Sequence, residues 1–482
     1  MHYTIAALGM IAFILGMVLT PLCRNLALRY NIVDQPDEDR KFHVKPTPRL
    51  GGIAIVLSYV GALALVFLLT PKAEQLHIQH LELLQSLLPG AGIIFLTGLL
   101  DDLFGLRPSQ KLLGEIGGAT LAIGLGVYFS PHSFPIAPIH PLLANRWVGI
   151  PLSIIWLVAC TNALNLIDGL DGLASGVGLF ATISTLLVGL FTGHQGLVLV
   201  TMPLAGVLLA FLYYNFNPAS IFLGDSGSLT IGFMLGAFSL IWSGSSSSVH
   251  GIAAPLMVLA LPLIDVGLAV SRRYLRQVPI FKADRGHIHH IVLARGFKPR
   301  TTTLILYGVC GLAASLALLQ SLNLRYLRYT VIAVFFLLVW AGVRYLGYTE
   351  FIAARRVLSR ANIRRVVRDD IYLQDLERSL AEIKTVDDCW RHTRDLCINL
   401  EFSAVEMYYQ ETYFEEVFDR DNSDYDWQMT LPLGERGYLR VNRTRLEPPP
   451  TIMWQALERL QESLARAEHI LPKKLLIFPG AA

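Results

Sequence analysis

Asparagine and aspartate side chains follow directly on a long apolar run. Residues 162–172 read Asn-Ala-Leu-Asn-Leu-Ile-Asp-Gly-Leu-Asp-Gly, which places Asn162, Asn165, Asp168 and Asp171 within ten residues of one another. A polar or ionisable side chain at membrane depth is costly, so it usually faces a wet cavity, a partner or an ion. Four such residues together indicate a functional site at the end of this run.

Acidic residues also cluster after two other apolar runs. Asp101 and Asp102 are adjacent, and Asp225 lies in the string Phe-Leu-Gly-Asp-Ser-Gly that begins at Phe222. Carboxylate and amide oxygens without a Cys-His ligand set are hard ligands, which suit Mg²⁺, with Mn²⁺ as an alternative. We therefore expect a magnesium site.

Basic residues and histidines accompany the acidic clusters. Such side chains can hold several phosphate oxygens at once. They comprise Lys41, Lys45, Arg49, Lys111, Lys282, Arg285, His287, His289 and His290. A zinc site on the histidines is a competing hypothesis, but adjacent histidines point in different directions and no cysteine assists. Acids, cations and a divalent metal together predict phosphoryl transfer on a diphosphate at a membrane surface.

The composition places the chain among polytopic membrane proteins, with the lipid bilayer as its surroundings. Of 482 residues, 53% are hydrophobic and 16% are charged, and the mean hydropathy is +0.48, which is too apolar for an ordinary soluble protein. The net charge of +3 gives no indication of a nucleic-acid partner. The five cysteines form no Cys-x-x-Cys pair and are interpreted as free thiols.

The sequence contains apolar segments long enough to cross a bilayer. We place eleven spans, at roughly residues 3–23, 50–70, 86–101, 113–130, 148–164, 175–192, 197–214, 226–243, 252–271, 302–320 and 329–347. The loops after odd-numbered spans hold 16 Lys and Arg residues, against 4 in the other loops. This bias predicts that the first set, and with it every polar cluster, faces the cytoplasm. Residues 348–482 then also lie in the cytoplasm.

The last part of the chain has a different pattern. Residues 1–347 are predicted to form the transmembrane catalytic domain, whereas residues 348–482 combine helical periodicity with short alternating runs typical of strands. We expect a small cytoplasmic α+β domain there. It faintly resembles the end of a GAF-type sensory domain, and a docking or oligomerisation module without a ligand is the alternative.

Five strings resemble the motifs of one enzyme family. They are Pro48-Arg49-x-Gly51-Gly52, Asp101-Asp102-x-x-Gly105-Leu106, Asn162-x-x-Asn165-x-x-Asp168-Gly169-x-Asp171-Gly172, Phe222-x-Gly224-Asp225-x-Gly227 and His287-x-His289-His290. In this order and spacing they resemble the polyprenyl-phosphate N-acetylhexosamine-1-phosphate transferases over about residues 1–347. The string around Arg285 looks like the bacterial branch that uses undecaprenyl phosphate and N-acetylglucosamine 1-phosphate.

The resemblance implies a reaction in the bacterial inner membrane. Undecaprenyl phosphate would attack the β-phosphorus of a UDP-N-acetylhexosamine, here UDP-N-acetylglucosamine, to give a lipid diphosphate sugar and UMP. The product would start cell-surface polysaccharide synthesis. Another UDP-N-acetylhexosamine is the alternative donor. A homodimer through the spans is compatible with the sequence, although no stripe of small residues is decisive.

The resemblance also implies residue roles. Asp225 and Asn165 would hold Mg²⁺, and Asp101 and Asp102 would lie near the attacking lipid phosphate. A phosphate monoester has a second pKa of about 6 and is mostly dianionic at neutral pH. We therefore expect the two aspartates to position the nucleophile and to organise Lys111 rather than to act as a base.

The remaining candidates would bind substrate. Asp168, as a catalytic residue, and Asp171 and Asn162 would shape the nucleotide-sugar side, whereas Arg285 and the three histidines would grip the diphosphate or the uridine. Lys41, Arg49 and Lys111 would contact phosphates.

Structural alternatives exist for several of these residues. Lys111 could be a positive-inside anchor, and Asp168 and Asp171 could be turn residues beside glycine. Lys41 could hold anionic lipid headgroups. Asp265 could line the lipid-phosphate groove or pair with Arg272 or Arg273.

Two other classes of protein compete with the enzyme. A secondary transporter would carry its acidic residues near the bilayer midplane within inverted repeats. Here the acidic residues gather at one surface, and we find no clear internal repeat. A membrane scaffold whose function lies in the tail would not need the acidic motifs.

Overall fold

The computed structural model describes most of the membrane part and the central portion of the tail. The described residues are 2–34, 46–69, 73–130, 133, 145–244, 251–275, 286–321, 325–347, 372–381, 383, 385–418, 427–433, 437–443 and 451–468. The chain divides into two compact units, Met1–Tyr348 and Thr349–Ala482.

The first unit is a bundle of helices. Its helices are α1 (His2–Arg29), α2 (Gly51–Leu69), α3 (Ala73–Phe104), α4 (Pro108–Gly124), α5 (Arg146–Ile167), α6 (Leu173–Thr192), α7 (Gln195–Asn215), α8 (Gly224–Gly244), α9 (Ala253–Val258), α10 (Ala260–Leu275), α11 (Ile288–Ala294), α12 (Pro299–Ser321) and α13 (Arg325–Leu346). Two short strands, β1 (Val33–Asp34) and β2 (Thr47–Pro48), pair antiparallel between α1 and α2.

The helices agree with a polytopic membrane protein. Among the described residues, nine helices are long and apolar enough to cross a bilayer. Helix α4 has only 17 residues, and the segment predicted as span 252–271 consists of α9 and α10. These helices meet at Leu259. Pro262 has no N–H to donate to the carbonyl of Val258, which accounts for a break at this point.

Helix α8 lies at the centre of the bundle. It packs against α3, α5, α2 and α6, and Phe233 and Phe238 on it are fully buried. Small residues on its neighbours permit close contact: a Cβ atom at Gly98 of α3 would lie 2.5 Å from the carbonyl oxygen of Asp225, and one at Gly52 of α2 would overlap the amide nitrogen of Gly227. The first turn of α8 is therefore held closely between two helices.

Backbone hydrogen bonds tie the start of α2 and the residue Pro48 before it to the segment that leads into α8. The amides of Gly51 and Gly52 donate to the carbonyls of Phe222 and Leu223 at 3.0 and 2.9 Å, and the amide of Phe222 donates to the carbonyl of Pro48 at 2.7 Å. The glycine pair thus serves the packing of backbone on backbone.

The second unit is an α+β domain. Strands β3 (Ala404–Tyr409), β4 (Thr412–Val417), β5 (Trp427–Leu433) and β6 (Gly437–Arg443) form an antiparallel sheet in the order β4-β3-β6-β5. Helices α14 (Val386–Asn399) and α15 (Thr451–Glu468) contribute to one core with the sheet. That core includes Cys397, Met407, Leu439 and Leu460, all fully buried. The predicted α+β character of the tail is confirmed.

Candidate active site

The polar clusters meet at one cavity of about 480 Å³ in the first unit. All five loops that carry a motif contribute described residues to its lining. Those of the predicted residues that line the cavity are Arg49, Asp101, Asp102, Asn165, Asp168, Asp171, Asp225 and His290.

Lys111 joins three of these polar groups. Asp101 lies in the last turn of helix α3, and helix α4 begins three residues before Lys111, so the short turn between the helices brings the two side chains together. The Lys111 ammonium lies 2.5 Å from Asp225 Oδ2, 3.2 Å from Asp101 Oδ2 and 3.2 Å from Asn165 Oδ1. The Asn165 amide in turn donates to Asp225 Oδ1 at 2.8 Å and to Ser228 Oγ at 2.9 Å. Of the two aspartates that were expected to organise Lys111, Asp101 contacts its ammonium group.

Asp102 has a different environment from its neighbour Asp101. It is buried, and its carboxylate accepts from the amides of Asp225 and Ser226 at 2.8 and 3.0 Å and from the Ser226 hydroxyl at 2.6 Å. Amides in the first turn of a helix have no partner within the helix, and a carboxylate there satisfies them and complements the helix dipole. Asp102 therefore anchors the start of α8, the helix that carries Asp225, and its contacts do not include Lys111.

Gly224 permits this anchor. Its φ of +68° is a left-handed conformation, which glycine adopts readily. A Cβ atom there would also overlap the Arg49 carbonyl and lie 2.6 Å from Asp102 Oδ2. A side chain at this position would separate Asp102 from the helix that it caps.

Asn162 lies one turn before Asn165 on α5. Its amide donates to the carboxylate of Glu115 on α4 and to the carbonyl of Val158 at 3.0 Å. Glu115 is almost completely buried. Neither residue is among those that line the cavity, so the structure places Asn162 beside the site rather than in it.

Asp168 and Asp171 differ in their contacts. Asp171 Oδ2 accepts from the Asn217 side chain and from the Ala219 amide, both at 3.0 Å, and so holds the loop between α7 and α8. Asp168 follows the last residue of α5. Burial and the nearby carboxylates of Asp225, Asp102 and Asp171 raise the pKa of Asp168 well above its ordinary value. A cation or a hydrogen-bond donor in the cavity would relieve this repulsion.

The histidine motif is held from behind by Asp265. His287 Nδ1 donates to Asp265 Oδ2 at 2.9 Å, and the Ile288 amide donates to Asp265 Oδ1 at 2.8 Å. The Asp265 carboxylate therefore positions the start of α11. Neither sequence interpretation of Asp265 named this partner. Both expectations for Asp265 missed this contact because its partner is 22 residues away in the sequence.

His289 and His290 complete this edge of the cavity. Their ring centroids are 4.2 Å apart, and His289 is buried beside Gly169. Burial and the neighbouring His290 lower the pKa of His289 to about 3, so His289 is neutral at neutral pH. Neither ring nitrogen of His289 has a hydrogen-bond partner within the described part of the chain.

Five of the predicted basic residues remain to be placed. Those outside the described residues are Lys41, Lys45, Lys282 and Arg285. Arg49 lines the cavity and lies 3.7 Å from Asp34 on β1.

The oxygen groups around Lys111 fit a hard divalent cation. Asp225 and Asp101 offer carboxylates and Asn165 offers an amide oxygen, whereas no cysteine lines the cavity. Within the described residues there is no group of three or more His, Cys, Asp or Glu side chains that could hold a metal by themselves. Mg²⁺ commonly takes one or two carboxylates and completes its octahedron with water and substrate phosphates. The described residues therefore suit Mg²⁺ better than zinc.

Some cavity residues were missed in the sequence. Asp34 and Asn215 line the cavity, and Glu115 lies behind it. Glu115 had a usable signal, because an acidic residue inside an apolar helix is unusual. Asp34 had none, since it lies in a polar loop of ordinary composition.

Comparison with known proteins identifies the same family that the five sequence motifs resemble. The family model for glycosyl transferase family 4 matches residues 84–243. The chain is 34% identical over 302 residues to a probable undecaprenyl-phosphate N-acetylglucosaminyl 1-phosphate transferase of Bacillus subtilis, covering 62% of this chain and 80% of that protein. It is 35% identical over 329 residues to a decaprenyl-phosphate N-acetylglucosaminephosphotransferase of Mycobacterium tuberculosis, covering 64% and 81%.

A third relative is more distant. The undecaprenyl-phosphate alpha-N-acetylglucosaminyl 1-phosphate transferase of Yersinia pestis is 26% identical over 338 residues, covering 68% of this chain and 87% of that protein. Since the chain spans most of each relative and carries the motif residues at one cavity, it is a multi-pass membrane phospho-sugar transferase. The chain belongs to the polyprenyl-phosphate N-acetylhexosamine-1-phosphate transferase family, within glycosyl transferase family 4.

Proposed function

We propose that this protein transfers N-acetylglucosamine 1-phosphate from UDP-N-acetylglucosamine to undecaprenyl phosphate and releases UMP. The observation that carries the proposal is the arrangement of Lys111, Asp225, Asn165 and Asp101 at a polar cavity where motif loops of a membrane bundle meet. The names of the relatives support this donor and a polyprenyl phosphate acceptor. Cell-surface polysaccharide synthesis is the pathway that such a product would begin.

The reaction needs no protein base. An oxygen of the lipid phosphate attacks the β-phosphorus of the donor, a new P–O bond forms, and the bond to the bridging oxygen breaks as UMP leaves with its electron pair. The attacking phosphate is mostly dianionic at neutral pH. Catalysis then consists of positioning two anionic substrates and neutralising the charge that develops on the leaving phosphate.

The protein supplies these roles from different elements. Asp225 and Asn165 would hold Mg²⁺, which when bound neutralises charge on the diphosphate. Lys111, kept near the acidic cluster by Asp101, would contact a phosphate. Arg49, Arg285, His289 and His290 would bind the remaining phosphate oxygens or the uridine.

Asp168 and Asp171 would act on the nucleotide-sugar side. Asp168 faces the cavity, and Asp171 maintains the loop at Asn217 and Ala219. Asn162 would act through Glu115 rather than by direct contact, because it lies beside the cavity. Lys41 would bind a phosphate of the substrate or of a lipid headgroup.

We propose that the cavity and the tail face the cytoplasm of a bacterial inner membrane. The excess of Lys and Arg in the loops on the cavity side supports this orientation. It would also give the cavity access to the soluble nucleotide sugar.

The proposal is tested by UMP release from purified protein in detergent with undecaprenyl phosphate, Mg²⁺ and UDP-N-acetylglucosamine. Release should require the lipid, should stop in EDTA and should fall at least about 10²-fold in Asp225→Asn, because electrostatic stabilisation of the transition state would be lost. UMP formation with another UDP-sugar alone would overturn the choice of donor. Activity that persists in EDTA would overturn the metal role.

A further inference from the structure

Three oxygens surround the Lys111 ammonium group. They are Asp225 Oδ2 at 2.5 Å, Asp101 Oδ2 at 3.2 Å and Asn165 Oδ1 at 3.2 Å. Two of these residues, Asp225 and Asn165, are the ones to which the proposed function gives the divalent cation. The ammonium group thus lies among the oxygens that the metal would use.

A divalent cation and this ammonium group compete for these oxygens. Mg²⁺ binds oxygen ligands at about 2.0–2.1 Å, which would bring it against the Lys111 nitrogen. The Lys111 side chain is only 16% exposed, and repulsion between like charges is strong where water is largely excluded. Metal binding therefore requires the ammonium group to move.

Glu115 is a suitable acceptor for the displaced group. It lies one helical turn after Lys111 on α4, and residues four apart on a helix face each other. Glu115 is 1% exposed. One of its carboxylate oxygens accepts from Asn162 Nδ2, whereas the other, Oε1, has no hydrogen-bond partner among the residues that the structure describes.

Glu115 Oε1 is an unusual feature, because a buried carboxylate oxygen that accepts no hydrogen bond lowers the stability of the fold. The hydrogen bond from Asn162 fixes the carboxylate on the face of α4 that also carries Lys111. Neither Glu115 nor Asn162 is among the residues that line the cavity. Glu115 therefore need not contact the substrate to accept the Lys111 ammonium group.

We propose, on the basis of the metal role in the proposed function, that Lys111 and the divalent cation exchange places. When the cation binds to Asp225 and Asn165, the Lys111 ammonium leaves Asp225 and is accepted by Glu115 Oε1. Glu115 is then a positioning residue that makes room for the metal and holds the displaced Lys111 ammonium group. Asn162 orients Glu115 for this exchange.

The test measures binding of Mn²⁺ to the full-length protein in detergent without substrates. Electron paramagnetic resonance of the free ion gives the amount of Mn²⁺ that is not bound. Four proteins are compared: the unaltered chain, Lys111→Met, Glu115→Gln and the double variant. Removing the competing ammonium should tighten Mn²⁺ binding at least about tenfold in Lys111→Met. Removing its acceptor should weaken binding about tenfold in Glu115→Gln, because the metal would then displace an ammonium group that has no carboxylate to receive it.

The double variant distinguishes exchange from a general effect of charge or structure. With no ammonium to relocate, Glu115→Gln should change Mn²⁺ affinity by no more than about twofold in the Lys111→Met background. An equal loss in both backgrounds would overturn the inference, as would a Lys111→Met protein that binds Mn²⁺ no more tightly than the unaltered chain. Glu115→Asp, which keeps the charge but shortens the side chain, should fall between the unaltered chain and Glu115→Gln, and it provides the comparison if the glutamine variant does not fold.

This outcome is separable from failure of the proposed function. UMP release that is indifferent to EDTA would remove the metal role itself. UMP release that requires the metal, together with equal effects of Glu115→Gln in both backgrounds, would overturn only the exchange.

Discussion

Adjacent aspartates in one motif have separate tasks. Asp101 contacts Lys111, whereas Asp102 accepts hydrogen bonds from the first turn of α8. The two residues look equivalent in the sequence. Their side chains diverge because successive residues on a helix point about 100° apart, so Asp101 reaches Lys111 and Asp102 reaches the first turn of α8.

Asp102→Asn should lower activity by displacing Asp225, without removing a proton-transfer step. An asparagine amide accepts only through its oxygen, so its NH₂ group would face the backbone N–H of either Asp225 or Ser226, and loss of a helix cap costs about 0.5–2 kcal/mol. We expect UMP release to fall while the pH profile keeps its shape. The measurement is kcat against pH, with thermal unfolding of the same preparation as the control.

The opposite result would assign a different role to Asp102. A general base contributes about 10²- to 10⁴-fold, and its removal eliminates one limb of the profile. A lost limb in Asp102→Asn, with unchanged thermal unfolding, would contradict the anchoring role.

At the scale of elements, the site depends on how closely helices approach the first turn of α8. Gly98 on α3 and Gly52 on α2 contact backbone atoms of residues 225–227, where any Cβ atom would collide. Backbone atoms cannot rotate away as a flexible side chain can. The positions of α2 and α3 against α8 therefore depend on these glycines.

Gly98→Ala and Gly92→Ala form a matched pair on helix α3. The Cβ atom of Gly98→Ala would lie 2.5 Å from Asp225 O, whereas that of Gly92→Ala has nothing within 4 Å. Overpacking typically costs about 1–3 kcal/mol, so Gly98→Ala should lower both the unfolding temperature and UMP release. Gly92→Ala should leave both nearly unchanged, since alanine favours helix.

Thermal unfolding in detergent and initial rates of UMP release check the pair. A Gly98→Ala protein with the stability and rate of the unaltered chain would show that α3 can shift without cost. It would then be wrong to attribute the placement of Asp225 to this contact.

At the scale of the whole molecule, every described residue that lines the cavity belongs to the first unit. Its lining residues run from Asp34 to Pro299, and the α+β unit has a separate core of its own. The role of the tail, whether as a GAF-like sensory domain or as a docking module, stays a prediction. The strand order β4-β3-β6-β5 describes its sheet but does not identify a ligand.

Fusions of a fluorescent protein test the orientation of the bundle in the membrane. A green fluorescent protein attached after residue 482 should fluoresce because the carboxyl end is expected in the cytoplasm, where this reporter folds. The same reporter after residue 322, following α12, should stay dark, and an alkaline phosphatase fusion at each point should give the reverse pattern. Fluorescence only at residue 322 would contradict the orientation and turn the cavity outward.

The sequence by itself determined the membrane class, most of the spans, the α+β tail, the family and the clusters that meet at the cavity. These features are carried by local hydropathy, by charge bias between loops and by short motifs, which are all readable along the chain. The sequence could also place Asp101, Asn165 and Asp225 at span ends, from which their convergence followed.

Only the tertiary structure decided which groups touch. Lys111 meets Asp225 across 114 residues, Asp102 caps a helix 123 residues away, and Asp265 holds His287 rather than a neighbouring arginine. It also separated Asn162 from the cavity and revealed Glu115 behind it. Such contacts depend on how helices pack and rotate about their axes, and the pattern of apolar residues along each helix does not specify its neighbours.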